Sequence, residues 1–164
     1  MKKFLLFMMM LFSTTVFAES VNAKVTNKIN FGISPKELKN IIKSEPLSNS
    51  HDNGNYAVYY FANVEDPLGV KRQLNSFAFS ENHLFSAVFD SVTTDEEHAK
   101  IIEAYKKNIN KISKEKMNIK EHKGALLLYN SKKIIEIYRV VDHTFINVAL
   151  YSAGKLNNSL KNYE

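Results

Sequence analysis

Two helix starts of the same construction, sixty positions apart, constrain this chain more than any other feature. The first is Ile33-Ser34-Pro35-Lys36-Glu37-Leu38. Ser34 suits the N-cap. Pro35 falls at the first helical position, where a missing N–H costs nothing, and Glu37 at the third, where its carboxylate reaches back to the cap backbone. Ile33 and Leu38 flank this turn as a hydrophobic staple. The second start, Thr94-Asp95-Glu96-Glu97, repeats the cap-to-glutamate spacing and sets acidic residues at the positive end of a helix. Leu38, Ile41 and Ile42 give the first helix one apolar stripe, and Pro46 stops it near Lys43 or Ser44. His98, Ile101, Ile102, Tyr105, Ile109 and Ile112 give the second a stripe from Asp95 to about Ser113, with Lys100, Lys107, Lys111 and Lys114 on the far side.

Three strand-like runs follow each helix. After the first they are Tyr56 to Val64, Val70 to Ser80 and His83 to Asp90; after the second, Ala125 to Asn130, Ile134 to Val141 and Phe145 to Tyr151. The connections are short and rich in turn residues, which makes the neighbours antiparallel. Leu47 to Asn55 and Lys114 to Gly124 read as polar loops, 19–30 as a leader and 152–164 as a loose tail. The expected fold is α+β. Two helix-plus-three-strand units, 31–90 and 94–151, form one antiparallel sheet with two helices packed on one face, as a single domain over 31–151.

The alternation within the strands predicts which side chains go inward. Ile135, Ile137 and Val141 share one face, as do Ile146, Val148 and Leu150; these should meet the helices. Arg139 falls in the same register, a charge where the pattern asks for an apolar residue. Glu136, Tyr138, Phe145, Asn147 and Tyr151 face the other way. In the first unit both faces are apolar: Tyr56, Val58 and Tyr60 oppose Tyr59 and Phe61, and Phe85, Ala87 and Phe89 oppose Leu84 and Val88. That unit is either covered on both sides or shows aromatics to solvent, as protein-binding sheets do.

The first eighteen residues have the form of a secretory signal. Lys2 and Lys3 precede an apolar run from Phe4 to Phe17, and Val16-Phe17-Ala18 supplies the small residues a signal peptidase reads. Cleavage is expected between Ala18 and Glu19, with Val21-Asn22-Ala23 as the reserve; the run is short of the roughly 20 residues a membrane span needs. The mature chain is expected in a bacterial periplasm, with secretion as second choice. It has no cysteine, so its core alone must hold it. Without Lys2 and Lys3 the charge is 20 basic against 17 acidic, too slight an excess to suggest nucleic acid, yet it is unevenly spread. Residues 19–97 carry 7 basic and 11 acidic side chains, and 98–164 carry 13 and 6.

Catalytic chemistry is poorly supported. His51, His83, His98, His122 and His143 show no metal-ligand spacing. His51-Asp52 and Asp142-His143 sit in expected loops, and His98 ends the apolar stripe of the second helix. There is no nucleophile elbow, phosphate loop or dinucleotide fingerprint. No catalytic, cofactor-binding or metal-ligating residue is assigned.

Around Phe31-Gly32-Ile33-Ser34-Pro35-Lys36-Glu37-Leu38-Lys39-Asn40-Ile41-Ile42, with Pro46 and a strand meander after it, the chain resembles small bacterial envelope proteins of the SmpA/OmlA and β-lactamase-inhibitor-like type. It departs from them in lacking a lipid-anchoring cysteine and in having Glu45 where a glycine would precede Pro46. The resemblance implies protein binding in the envelope without a cofactor. The expected function is an exported, non-catalytic protein-interaction module: an assembly factor, inhibitor or immunity-type binder. Its partner is another envelope or secreted protein, and Tyr129, Tyr138, Phe145 and Tyr151 form its contact surface. The alternative is a small-molecule or lipid-binding envelope protein that uses the first meander as a pocket wall; an unrecognised hydrolase comes third.

Overall fold

The computed structural model describes residues 23–52 and 55–163. The first unit runs from α1 (Pro35–Ile42) through β1 (Ser48–Asp52), β2 (Tyr56–Glu65), β3 (Lys71–Ser80) and β4 (His83–Val92). The second runs from α2 (Asp95–Lys107) and α3 (Ile109–Ile112) through β5 (Asn118–His122), β6 (Ala125–Tyr129), β7 (Lys133–Val140) and β8 (His143–Leu150), and α4 (Ala153–Lys161) follows. All eight strands make one antiparallel sheet in the order β1-β2-β3-β4-β8-β7-β6-β5.

This corrects the expected architecture of two helix-plus-three-strand units with two helices on one face. Each unit has four strands, the described residues hold four helices, and α4 lies on the opposite side of the sheet from the other three. The two extra strands lie inside the stretches read as polar loops. Ser48–Asp52 and Asn118–His122 have no apolar alternation because each is an edge strand, paired on one side only. Their order comes from the neighbour's backbone. Short, polar, charged edges of this kind also deter pairing with other chains. The tail read as loose forms α4, capped by Ser152, whose Oγ accepts from Lys155 N at 3.1 Å.

Both helix starts are built as their sequences predict. Ser34 Oγ accepts from Glu37 N at 3.3 Å while Glu37 accepts from Ser34 N at 2.8 Å. Thr94 and Glu97 repeat this at 3.2 and 2.8 Å. These backbone bonds, with the hydroxyl bonds beside them, lower the pKa of both glutamates. The second helix is shorter than expected. It breaks at Asn108, whose Nδ2 donates to Ala104 O at 2.8 Å, and α3 resumes the path for one turn.

Register assigns the faces, since directly paired residues in antiparallel strands share a side. Tyr59, Phe77, Ala87, Val148, Ile135 and Leu128 form one row across the sheet, and Phe61, Asn75, Phe89, Ile146, Ile137 and Leu126 the next. This first face is the core. Leu38 of α1, Ile102 and Tyr105 of α2 and Ile112 of α3 are buried in the same cluster, with Val25, Ile29 and Phe31 of the N-terminal segment. Phe77 packs edge-on against Phe61 and Phe89 at 5.8 and 5.9 Å. Asn75 sits in an apolar row because its Nδ2 donates to Phe61 O and Arg72 O, both at 3.1 Å.

Asp66 and Arg139, two of the charges at the margins of this face, are paired. Asp66 is fully buried in the β2–β3 turn, accepts from Leu68 N and Val70 N, and takes two bonds from the Arg72 guanidinium at 2.8 and 2.7 Å. Arg139, out of place in the sequence pattern, lies at the sheet end nearest the start of α2. There it donates to Thr93 O at 2.8 Å and pairs with Asp95. Phe77→Ala should lower unfolding free energy by about 3–5 kcal/mol through the cavity it leaves, and Thr94→Ala by about 1 kcal/mol. Chemical denaturation of both variants checks the contrast.

Candidate functional site: the second face of the sheet

The second face carries the rows Tyr60-Ser76-Val88-Asn147-Glu136-Leu127 and Val58-Ala78-Ser86-Ala149-Ile134-Tyr129. Its two halves differ. On the β6–β8 side, Leu127, Ile134 and Ala149 are buried, although none belongs to the main core cluster. The cover is α4: Lys155 pairs with Glu136 at 2.9 Å, and Ser159 is buried. Beyond α4, burial and the nearby Glu136 push the Tyr163 phenol well above its ordinary pKa. The same Glu136 oxygen also accepts from Asn147 Nδ2 at 3.2 Å.

The β2–β4 half is open. Tyr56 is 40% exposed, Leu74 43% and Val92 53%, and Val58, Tyr60, Phe85 and Val88 are half-buried among their strand neighbours. The polar residues between them are mostly serines: Ser76, Ser80 and Ser86. Phe85 reaches this face because of a β-bulge. Ala78 pairs with Ser86 but Phe79 pairs with Leu84, which leaves Phe85 as the extra residue. Simple alternation groups Phe85 with Ala87 and Phe89, and Leu84 with Val88. The bulge exchanges them: Leu84 is fully buried in the core, and Phe85 packs beside Tyr56 at 5.9 Å.

Of the four residues singled out from the sequence, Tyr138 and Phe145 are brought together. Their rings stack at 5.5 Å, and the stack continues onto His143 at 6.0 Å. Tyr129 stands in the row of the covered Ile134, and Tyr151 lies just past β8 with its backbone N–H on Lys132 O. Tyr129, Tyr138 and Phe145 are half-buried, and Tyr151 is exposed. What sequence reasoning passed over is the continuation of the stack toward Asp90 and the open β2–β4 half. Asp90 is the cross-strand partner of Phe145, and its carboxylate accepts from His143 Nδ1 at 2.9 Å. That bond raises the His143 pKa, against a small opposing effect of burial and with help from Asp142.

The other histidines and lysines have structural roles or lie apart. His98 Nε2 is 2.7 Å from Gly124 O, a group that can only accept, so Nε2 carries the proton and Nδ1 accepts from Thr144 Oγ1 at 2.9 Å. Thr144 in turn accepts from Thr93 at 2.7 Å. This chain ties α2 to β8 and to the β5–β6 turn. In the lysine stripe, Lys100 pairs with Glu96 of its own helix. The His51 side chain and the expected cleavage between Ala18 and Glu19 lie outside the described residues. Among the described residues no group of three His, Asp or Glu could hold a metal ion, and no helix is long and apolar enough to cross a membrane.

No protein family, no curated protein and no solved structure matches the chain.

In an NMR titration His143 should have a midpoint above the ordinary 6.5, and Asp90→Asn should return it there. The sign for stability follows. The pair's contribution is complete below the ordinary histidine pKa and is lost as pH rises through the raised one. The stability of Asp90→Asn and wild type should therefore converge on the alkaline side.

Proposed function

We propose that the chain is an exported, non-catalytic protein-interaction module of the bacterial periplasm, or secreted, that holds another envelope or secreted protein against the second face of its sheet. The observation that carries this reading is the open β2–β4 half, where Tyr56, Val58, Tyr60, Phe85 and Val88 stand together with serines and almost no charge. Aromatic, charge-poor surface of this kind marks the centre of protein interfaces. Three ten-residue strands span roughly 33 Å by 14 Å. That is about half of the ~800 Å² a standard partner covers. The stack of Tyr138, Phe145 and His143 alongside would supply the rest. The signal-like leader and the resemblance of the α1 region to small envelope proteins support the location.

The alternative of an apolar-ligand carrier is less favoured. The helix-covered face is filled by buried Tyr105, Phe77, Phe89 and Leu128, and the clefts of about 400 and 200 Å³ have lysine-bearing rims. The test is affinity retrieval from an envelope extract with the purified protein, with Tyr56→Ala/Tyr60→Ala as the comparison. The wild type should retain a defined protein, and the double variant should lose at least about tenfold of it, since interface tyrosines are frequent hot spots. It should still melt cooperatively in thermal denaturation, since neither tyrosine belongs to the buried core cluster. Equal retention by the double variant, or a lipid carried along in place of a protein, would sink the reading.

A further inference from the structure

A cleft of about 400 Å³ opens between residues 23–27, the end of α3 with the loop after it, and the β6–β7 turn. Lys24, Lys111, Lys114, Lys132 and Lys133 all line it. The one acidic liner, Glu115, is already paired with Lys132. Lys24, Lys111 and Lys114 have no carboxylate partner among the described residues. Such a concentration of positive charge opposes itself unless something negative is present.

The deepest cation is Lys133. Its side chain is buried on the first face, and its ammonium donates to Ile112 O at 2.6 Å and Lys24 O at 3.0 Å. Those bonds clamp the N-terminal segment to α3, which is a structural role. They leave the third N–H without a described partner and give the charge no counterion. Burial, with the nearby Lys24, brings the Lys133 pKa down to about 8, the response of an ammonium short of negative charge.

The neutral groups around it are unbalanced in the same direction. Asn130 Oδ1 is spent on Lys132 N and Lys133 N, and its Nδ2 donates to Ser113 Oγ. Ser113 Oγ also accepts from Glu115 N, so its own hydroxyl proton is left to give. Beside Lys133, then, the Asn130 acceptor is used twice while the Ser113 proton is left to give. The cations of the lining are all lysines, point-charge ammonium groups that can reach a tetrahedral oxyanion from several directions.

We propose that this cleft binds a small phosphate-bearing ligand, its phosphate seated against the Lys133 ammonium and the Ser113 hydroxyl and drawn in by Lys24, Lys111 and Lys114. The volume exceeds what a bare phosphate fills, so a phosphate ester with an organic part fits better than the free ion. This site is independent of the open sheet face.

Isothermal titration of the purified protein with glucose 6-phosphate, inorganic phosphate and glucose tests it. Saturable binding of glucose 6-phosphate, weaker binding of phosphate and none of glucose is the expected order. Phosphate binding as tightly as the ester would support the same site with the free ion as its ligand. Lys133→Met should weaken the phosphate-bearing probes about tenfold or more, the loss of one charge-assisted bond. Lys111→Gln/Lys114→Gln, exposed and away from the core, should weaken them about threefold and flatten the dependence on ionic strength. That variant keeps the test decisive if Lys133→Met fails to fold. Absence of saturable binding at millimolar phosphate and glucose 6-phosphate overturns the proposal, as does wild-type binding by folded variants of both kinds.

Discussion

The antiparallel pairing of β4 with β8 is the contact on which the rest of this protein depends. Every other strand pair joins neighbours in sequence across a short turn. This one joins residues some sixty positions apart and makes two four-stranded units into one sheet. The paired Ala87–Val148 and Val88–Asn147 fall near the middle of both strands, so the units are related by a local two-fold turn through the seam. A four-stranded unit with so little helix beside it buries too little apolar surface to stand alone, and joining two shares one core between them. The side-chain ties gather at the same seam. Thr93 bonds Thr144, Arg139 of β7 reaches Thr93, His143 holds Asp90, and Ser86 meets Asn147. Folding must wait for this distant pairing, which places the protein among the slower topologies.

The sequence disclosed the parts governed by local rules. The caps at Ser34 and Thr94 are chemistry within four residues and stand as expected, and the long apolar strands lie close to their expected places. The elements it concealed carry no such signal. β1 and β5 are polar because an edge strand needs only its neighbour's backbone, and α4 has few apolar residues because it covers only a few. The bulge at Phe85 is a relation between two strands, and no period within either one announces it. Arg139 shows the reverse case. Its position in an apolar register makes sense only when the start of α2 is known to lie beside the end of β7.

The same division governs the candidate site. Aromatic residues on the second face were legible as a class, and Tyr138 and Phe145 do meet. The helix α4 that pairs with Glu136 on that face was hidden from the sequence pattern. The Lys133 cleft was harder still to foresee, since its lining comes from four separate segments and its lysines resemble any solvated surface. Its asymmetry agrees with the uneven charge of the two halves of the chain, a property of composition whose location only the fold supplies.

The extra residue at Phe85 has a consequence for shape. A β-bulge sharpens the local twist and bends the strand that carries it. Here it sits in β4, one strand of the open half-face and the strand beside the seam. The open half-face is therefore warped, with Tyr56 and Phe85 at one end and the Tyr138–Phe145–His143 stack lying across the seam. A rigid planar partner would touch one part or the other. Only a surface of matching curvature could engage both, and in that sense a single inserted residue acts as a filter on geometry before any side-chain chemistry is compared.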